Sequence, residues 1–190
     1  MRTKNSIRNG ILSLVYSFIS IIIAVIAQAV FIRTLGNEYN GIKSLFTNIL
    51  SMLSIAELGF GSAIVYNFYK PLKDNDQESI QSLLKYYKVV YQSVAGIVLI
   101  LGLLVLPFVS MIVGPTTIKE NLYVLFLLFL LQSVVSYLLT YKRSILYADQ
   151  KNYIINIISV IFLFLTNLFQ IIVLLLTQNF ILYLILKIIF

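Results

Sequence analysis

Apolar positions along this chain form long uninterrupted runs, without the frequent polar interleaving of a water-soluble protein. A helix needs about 20 apolar residues to cross about 30 Å of hydrocarbon, and within lipid it satisfies its own backbone hydrogen bonds. Five runs reach that length. Residues 11–32 carry no charge between Arg8 and Arg33; 45–69 are interrupted only by Glu57; 89–113 have Pro107 near their end; 122–141 and 153–176 contain no charge. A sixth run begins at Phe180 and reaches Phe190, and so short a helix covers only about 16 Å. Lys187 is stranded inside it. The pattern predicts an all-α fold, a polytopic transmembrane helix bundle with five full spans and a truncated sixth. On this expectation residues 1–190 are the N-terminal transmembrane lobe of a longer protein.

The segment before the third span has a pattern of its own. Ile80, Leu83, Leu84 and Tyr87 recur at the spacing of one helical face, while Gln77, Glu78, Gln81, Lys85 and Lys88 lie off it. Asp74-Asn75-Asp76 supplies cap candidates. An amphipathic helix over 76–88 is expected, either on the inner membrane surface or extending the third span.

Composition sharpens the class. With 60% hydrophobic and 11% charged residues the chain is a membrane protein. It has no Cys, His or Trp, which excludes disulfide scaffolds, Cys/His zinc sites and histidine-dependent catalysis. No enzyme, metal site or cofactor is expected.

The net charge of +7 does not signal nucleic acid, because the basic residues sit in clusters between apolar runs. Ten Lys and Arg fall on one side: Arg2, Lys4, Arg8, Lys70, Lys73, Lys85, Lys88, Lys142, Arg143 and Lys151. The other side holds Arg33, Lys43 and Lys119, with Lys187 uncounted. The positive-inside rule then predicts a multi-pass protein of the plasma membrane with a cytoplasmic N-terminus.

Polar residues recur on single faces of several spans. The first carries Ser13, Ser17, Ser20, Ala24, Ala27 and Gln28; the fifth carries Asn156, Ser159, Thr166, Asn167, Gln170 and Thr177. The second repeats the pattern with Ser44, Thr47, Ser51, Ser54, Gly61 and Ser62, and the fourth carries Gln132, Ser136 and Thr140. A polar-walled interior is one reading, and close packing through small residues is the other. Amides are costlier to bury in lipid, which points Gln28, Asn156, Asn167 and Gln170 toward partners or water. Glu57, the one acid within a full span, must face the interior, pair with a cation or be protonated. Gly36 and Gly41 bracket an Asn-rich turn that lacks a phosphate-loop ending.

The basic N-terminus, the first span and Arg33-Thr34-Leu35-Gly36-Asn37-Glu38-Tyr39-Asn40-Gly41, followed by Leu58-Gly59 and Gly61-Ser62-Ala63, together resemble a known family. It is the polysaccharide-transporter (flippase) branch of the multidrug/oligosaccharidyl-lipid/polysaccharide exporter superfamily. Tyr39-Asn40-Gly41 stands where that branch more commonly has an aromatic residue directly before Gly. The resemblance implies one lobe of a two-lobe transporter that moves a polyprenyl-diphosphate-linked oligosaccharide across the membrane by alternating access. It also implies a lipid-bilayer setting, with glycan polymerase and other polysaccharide-assembly proteins as partners. By motif position Arg33 would engage the diphosphate; helix faces add Gln28, Asn48, Glu57, Asn156 and Gln170 as substrate-binding candidates. The alternatives are a multidrug/cation antiporter of the same superfamily and an inactive truncated fragment.

Overall fold

The computed structural model describes the backbone of residues 2–53 and 60–190, and side chains at residues 10, 13–53 and 63–190. Every regular element among them is helical: α1 (Arg2–Leu35), α2 (Asn37–Leu53), α3 (Phe60–Asp74), α4 (Gln77–Val105), α5 (Val109–Val113), α6 (Leu122–Ala148), α7 (Asn152–Thr177) and α8 (Phe180–Ile189). Four stretches are long and apolar enough to cross a membrane: Ser13–Leu35, Gln77–Val113, Leu122–Ala148 and Asn152–Thr177. The expected second span, 45–69, falls on α2, α3 and residues outside the described set, which also include Glu57, Leu58 and Gly59.

Local chemistry sets the helix ends. The expected amphipathic segment is continuous with the third span in α4, which Asp76 caps: its carboxylate accepts from the Ser79 backbone N–H at 3.0 Å and the Ser79 hydroxyl at 2.6 Å. These bonds, the hydroxyl first, hold the Asp76 carboxyl below its ordinary 3.8. Because the folded value is the depressed one, the cap stabilises the helix above pH 3.8 and loses that contribution as pH falls through the folded value. Asp76→Ala is therefore expected to lower the thermal midpoint at pH 7, with the gap to the parent closing only below about pH 4. A gap unchanged down to pH 2.5 would assign the effect to something other than the ionised cap. Pro107 ends α4 in a 3₁₀ turn, Leu106–Phe108, leading into α5.

The Gly36–Gly41 turn needs correction. Gly36 alone breaks the chain, with φ 97° and its N–H bonded to Ile32 O at 2.9 Å, and α2 already begins at Asn37. A left-handed glycine closes α1, and Asn40 and Gly41 are helical.

Two helix pairs organise the bundle: α1 lies along α7, and α4 along α6. Asn156 Nδ2 donates to Ser13 Oγ at 2.8 Å near one end, while Phe31 meets Phe180 near the other, so α1 and α7 run parallel. Between the pairs, α2 contacts α1, α4 and α6, and α8 contacts α6 and α7. Buried aromatics join them: Phe180 packs edge-on against Phe31 and Tyr39, and Phe46 against Phe126 and Phe129. Outward positions such as Leu14, Phe18, Val25, Met111 and Leu176 are exposed and apolar, as a lipid-facing surface requires.

One end of the bundle is tied across its loops. The Thr116 hydroxyl and Thr117 N–H donate to Glu38 Oε1 at 2.6 and 2.7 Å, and the Thr117 hydroxyl donates to Glu38 Oε2. The Tyr39 hydroxyl reaches Glu120 Oε2 at 2.5 Å. The Thr116 and Thr117 hydroxyls and the Thr117 N–H lower the Glu38 carboxyl below its ordinary range. Arg33, at the end of α1, and Lys119, in the loop before α6, thus lie at the same end of the bundle.

Candidate functional site

The interior of the bundle contains a cationic, polar cluster centred on Lys43. Nearly two turns into α2, this lysine faces α1, where Nζ donates to Gln28 Oε1 at 2.9 Å; Gln28 Nε2 in turn donates to Asn40 Oδ1 at 2.6 Å. The ammonium also lies 4.5 Å from the Phe31 ring centroid and 5.9 Å from that of Tyr183. Ring faces supply part of the stabilisation that water would otherwise give, about 0.5–2 kcal/mol for such a contact.

A second ammonium approaches from α8. Lys187 Nζ stands 6.0 Å from the Phe129 ring centroid, and Lys187 lies one turn along α8 from Tyr183, whose ring Lys43 faces. Lys187 lines a cleft of about 220 Å³ whose polar walls are Thr47 and Ser51 from α2 and Gln132, Ser133 and Ser136 from α6. Among the described residues, neither lysine has a carboxylate within ion-pairing distance. Two partly buried cations without counter-ions, beside hydroxyl and amide groups, form an anion-accepting surface.

The other expected site residues are dispersed. Gln28 belongs to the cluster. Arg33 is exposed at the end of α1, and Asn48 is exposed on α2. Asn156 bonds to Ser13 across the α1–α7 pair, and buried Gln170 donates from Nε2 to the Tyr183 carbonyl at 3.0 Å. Asn167 and Thr166 bond back to Leu163 and Phe162 carbonyls on their own helix. Of the α7 stripe, Asn156 and Gln170 thus join helices, and none of its residues lines the cleft. Glu57 lies outside the described residues.

Lys43 and Lys187 were not among the expected site residues. Lys43 entered the reading only as a loop charge and Lys187 only as a stranded one, although an ionisable residue inside an apolar segment is itself a functional signal.

Comparison of the chain with protein-family models, with curated proteins and with solved structures found no match.

Proposed function

We propose that the chain forms one lobe of a flippase that moves a polyprenyl-diphosphate-linked oligosaccharide across the plasma membrane by alternating access. The observation that carries this reading is the pair of interior lysines, Lys43 and Lys187, beside a cleft walled by hydroxyl and amide groups. A diphosphate needs cations, and a glycan needs hydrogen-bonding groups along its path. Low-polarity surroundings strengthen both interactions relative to water. A cation antiporter would require carboxylates at the same place, whereas the described lining carries lysine.

In this reading α2 and α3 together make the second of five full spans, α8 opens the sixth, and the N-terminus is cytoplasmic. Arg33 stands at the far mouth, and glycan polymerase and other polysaccharide-assembly proteins are the partners.

The test is outward appearance of lipid-linked oligosaccharide in cells carrying Lys43→Gln or Lys187→Gln at matched membrane abundance. Each is expected to lower transport about tenfold, the equivalent of about 1.4 kcal/mol. Lys119→Gln, in an exposed loop, is expected to leave it unchanged. Parent-level transport in both interior variants would remove the cleft from the substrate path.

A further inference from the structure

Between the cleft and the Glu38 end of the bundle lie two layers. The outer one is the irregular segment 114–121, which joins α5 to α6. Gly114 opens it with φ 74°, and Asn121 ends it as the cap of α6. Between these points Thr116 and Thr117 bond to Glu38, Glu120 bonds to Tyr39, and Ile118 packs onto the core. Hydrogen bonds thus fasten a short strap to the first turn of α2.

The inner layer is aromatic. Phe46 of α2 packs edge-on against Phe126 and Phe129 of α6, and Phe129 meets Phe180 of α8. All four rings are buried. Sequence order along the helices places the polar walls beyond them. On α6, Gln132, Ser133 and Ser136 follow the two phenylalanines; on α8, Lys187 follows Phe180 by seven residues, about 10 Å of helix. On α2, Thr47 and Ser51 lie nine and thirteen residues past Glu38. The rings therefore stand between the strap and the cleft.

Both fastened segments start from a pivot. Gly36 precedes α2 at φ 97° and Gly114 precedes the strap, and a Cβ built at either would meet nothing within 4 Å. Element-terminal residues of this kind absorb the backbone changes of hinge motions.

We propose that the strap is the latch of a gate over the cleft. Fastened, it fixes the tilt of α2, keeps Phe46 against the α6 rings and shuts the cleft from the adjoining face of the membrane. Released, it lets α2 turn about Gly36, withdraws Phe46 and admits water to Thr47, Ser51 and Ser133. Glu38 is exposed, so its bonds exchange for water at small net cost and the latch is reversible. The gate regulates the substrate path proposed above and rests on that reading for its purpose, but access to the cleft is measured without transport.

The chain has no Cys, so a single introduced thiol reports alone. Lys119→Cys, in the strap, identifies which preparation, intact cells or inverted membrane vesicles, presents the strap face to a membrane-impermeant methanethiosulfonate. In that preparation Ser133→Cys is expected to react slowly in the otherwise parental chain. Glu38→Ala/Tyr39→Phe removes the ties and keeps an aromatic ring against Phe180; it is expected to speed the Ser133→Cys reaction about tenfold. Val98→Cys, buried on α4 outside the cleft, should stay unreactive in both backgrounds. Reaction of Ser133→Cys in the parental chain as fast as Lys119→Cys, or a rate unchanged by loss of the ties, would overturn the proposal. So would equal acceleration at Val98→Cys, which would mean general loosening. If the double variant is lost from the membrane, Thr117→Val, which removes one hydroxyl tie, is read by the same criteria with an about threefold rise. A gate that opens over a cleft whose lysines prove dispensable for transport would leave this inference standing and the substrate reading fallen.

Discussion

Phe180→Ala is expected to destabilise the bundle by about 2–3 kcal/mol, the largest single loss among its core positions. The ring is fully buried and meets Phe31, Tyr39, Phe129 and Tyr183, so its removal leaves a hole bordered by α1, α2, α6 and α8. In a soluble core the cost would run to about 3–5 kcal/mol, but part of that is transfer from water. Helices already in lipid gain less from transfer and more from contact, so the lost dispersion and edge-to-face interactions dominate. Thermal unfolding of the purified protein should show the loss, with Phe180→Leu retaining more than half of the difference. A midpoint within a degree of the parent in Phe180→Ala would mean that α8 does not hold the two helix pairs together.

Gly102→Ala should destabilise the protein by about 1–3 kcal/mol, even though alanine is the better helix former. A Cβ at Gly102 would lie 2.8 Å from Leu130 Cδ2, so the Leu130 side chain, itself buried, must shift to admit it. The sign reverses at Gly96 on the same helix, where an added Cβ meets nothing within 4 Å. Gly96→Ala should stabilise by up to about 1 kcal/mol. In a double-mutant cycle, Leu130→Ala should recover most of the Gly102→Ala loss. Destabilisation of the same size at both glycines would show that close approach of α4 and α6 is not the cause.

Run length and cap chemistry were the legible parts of this fold. The apolar stretches beginning at Leu122 and Tyr153 start within one residue of α6 and α7, and the one at Phe180 coincides with the start of α8. Asp76 announces its cap because an aspartate before a periodic segment has few other local uses. What periodicity cannot carry is which faces meet. The stripes on α1 and α7 look alike as sequence, yet Asn156 and Gln170 bond to neighbouring helices, while Gln28 holds a lysine. Lys43 and Lys187 are separated by 144 positions, and a charge count treats each as a local matter. The packing of α8 against α6 and α7 brings the Tyr183 ring, one turn from Lys187, to 5.9 Å from the Lys43 ammonium. At the Gly36–Gly41 segment two glycines suggested a loop, but one left-handed residue suffices to turn the chain.

The parallel pairing of α1 with α7 has a consequence for biogenesis. Ser13 and Asn156, which bond across that pair, are separated by 143 positions. At ribosomal speeds, α1 leaves the ribosome on the order of ten seconds before its partner. During that interval it must reside in lipid without that partner. Its composition suits the wait: most of its circumference is Ile, Val, Leu and Phe, and the Ser17 hydroxyl satisfies itself on the Ser13 carbonyl at 2.9 Å. A helix that had to offer a free amide on every turn would invite the wrong neighbour, whereas α1 keeps Gln28, the one amide of residues 11–32, for Asn40 and Lys43 on the next helix to be made.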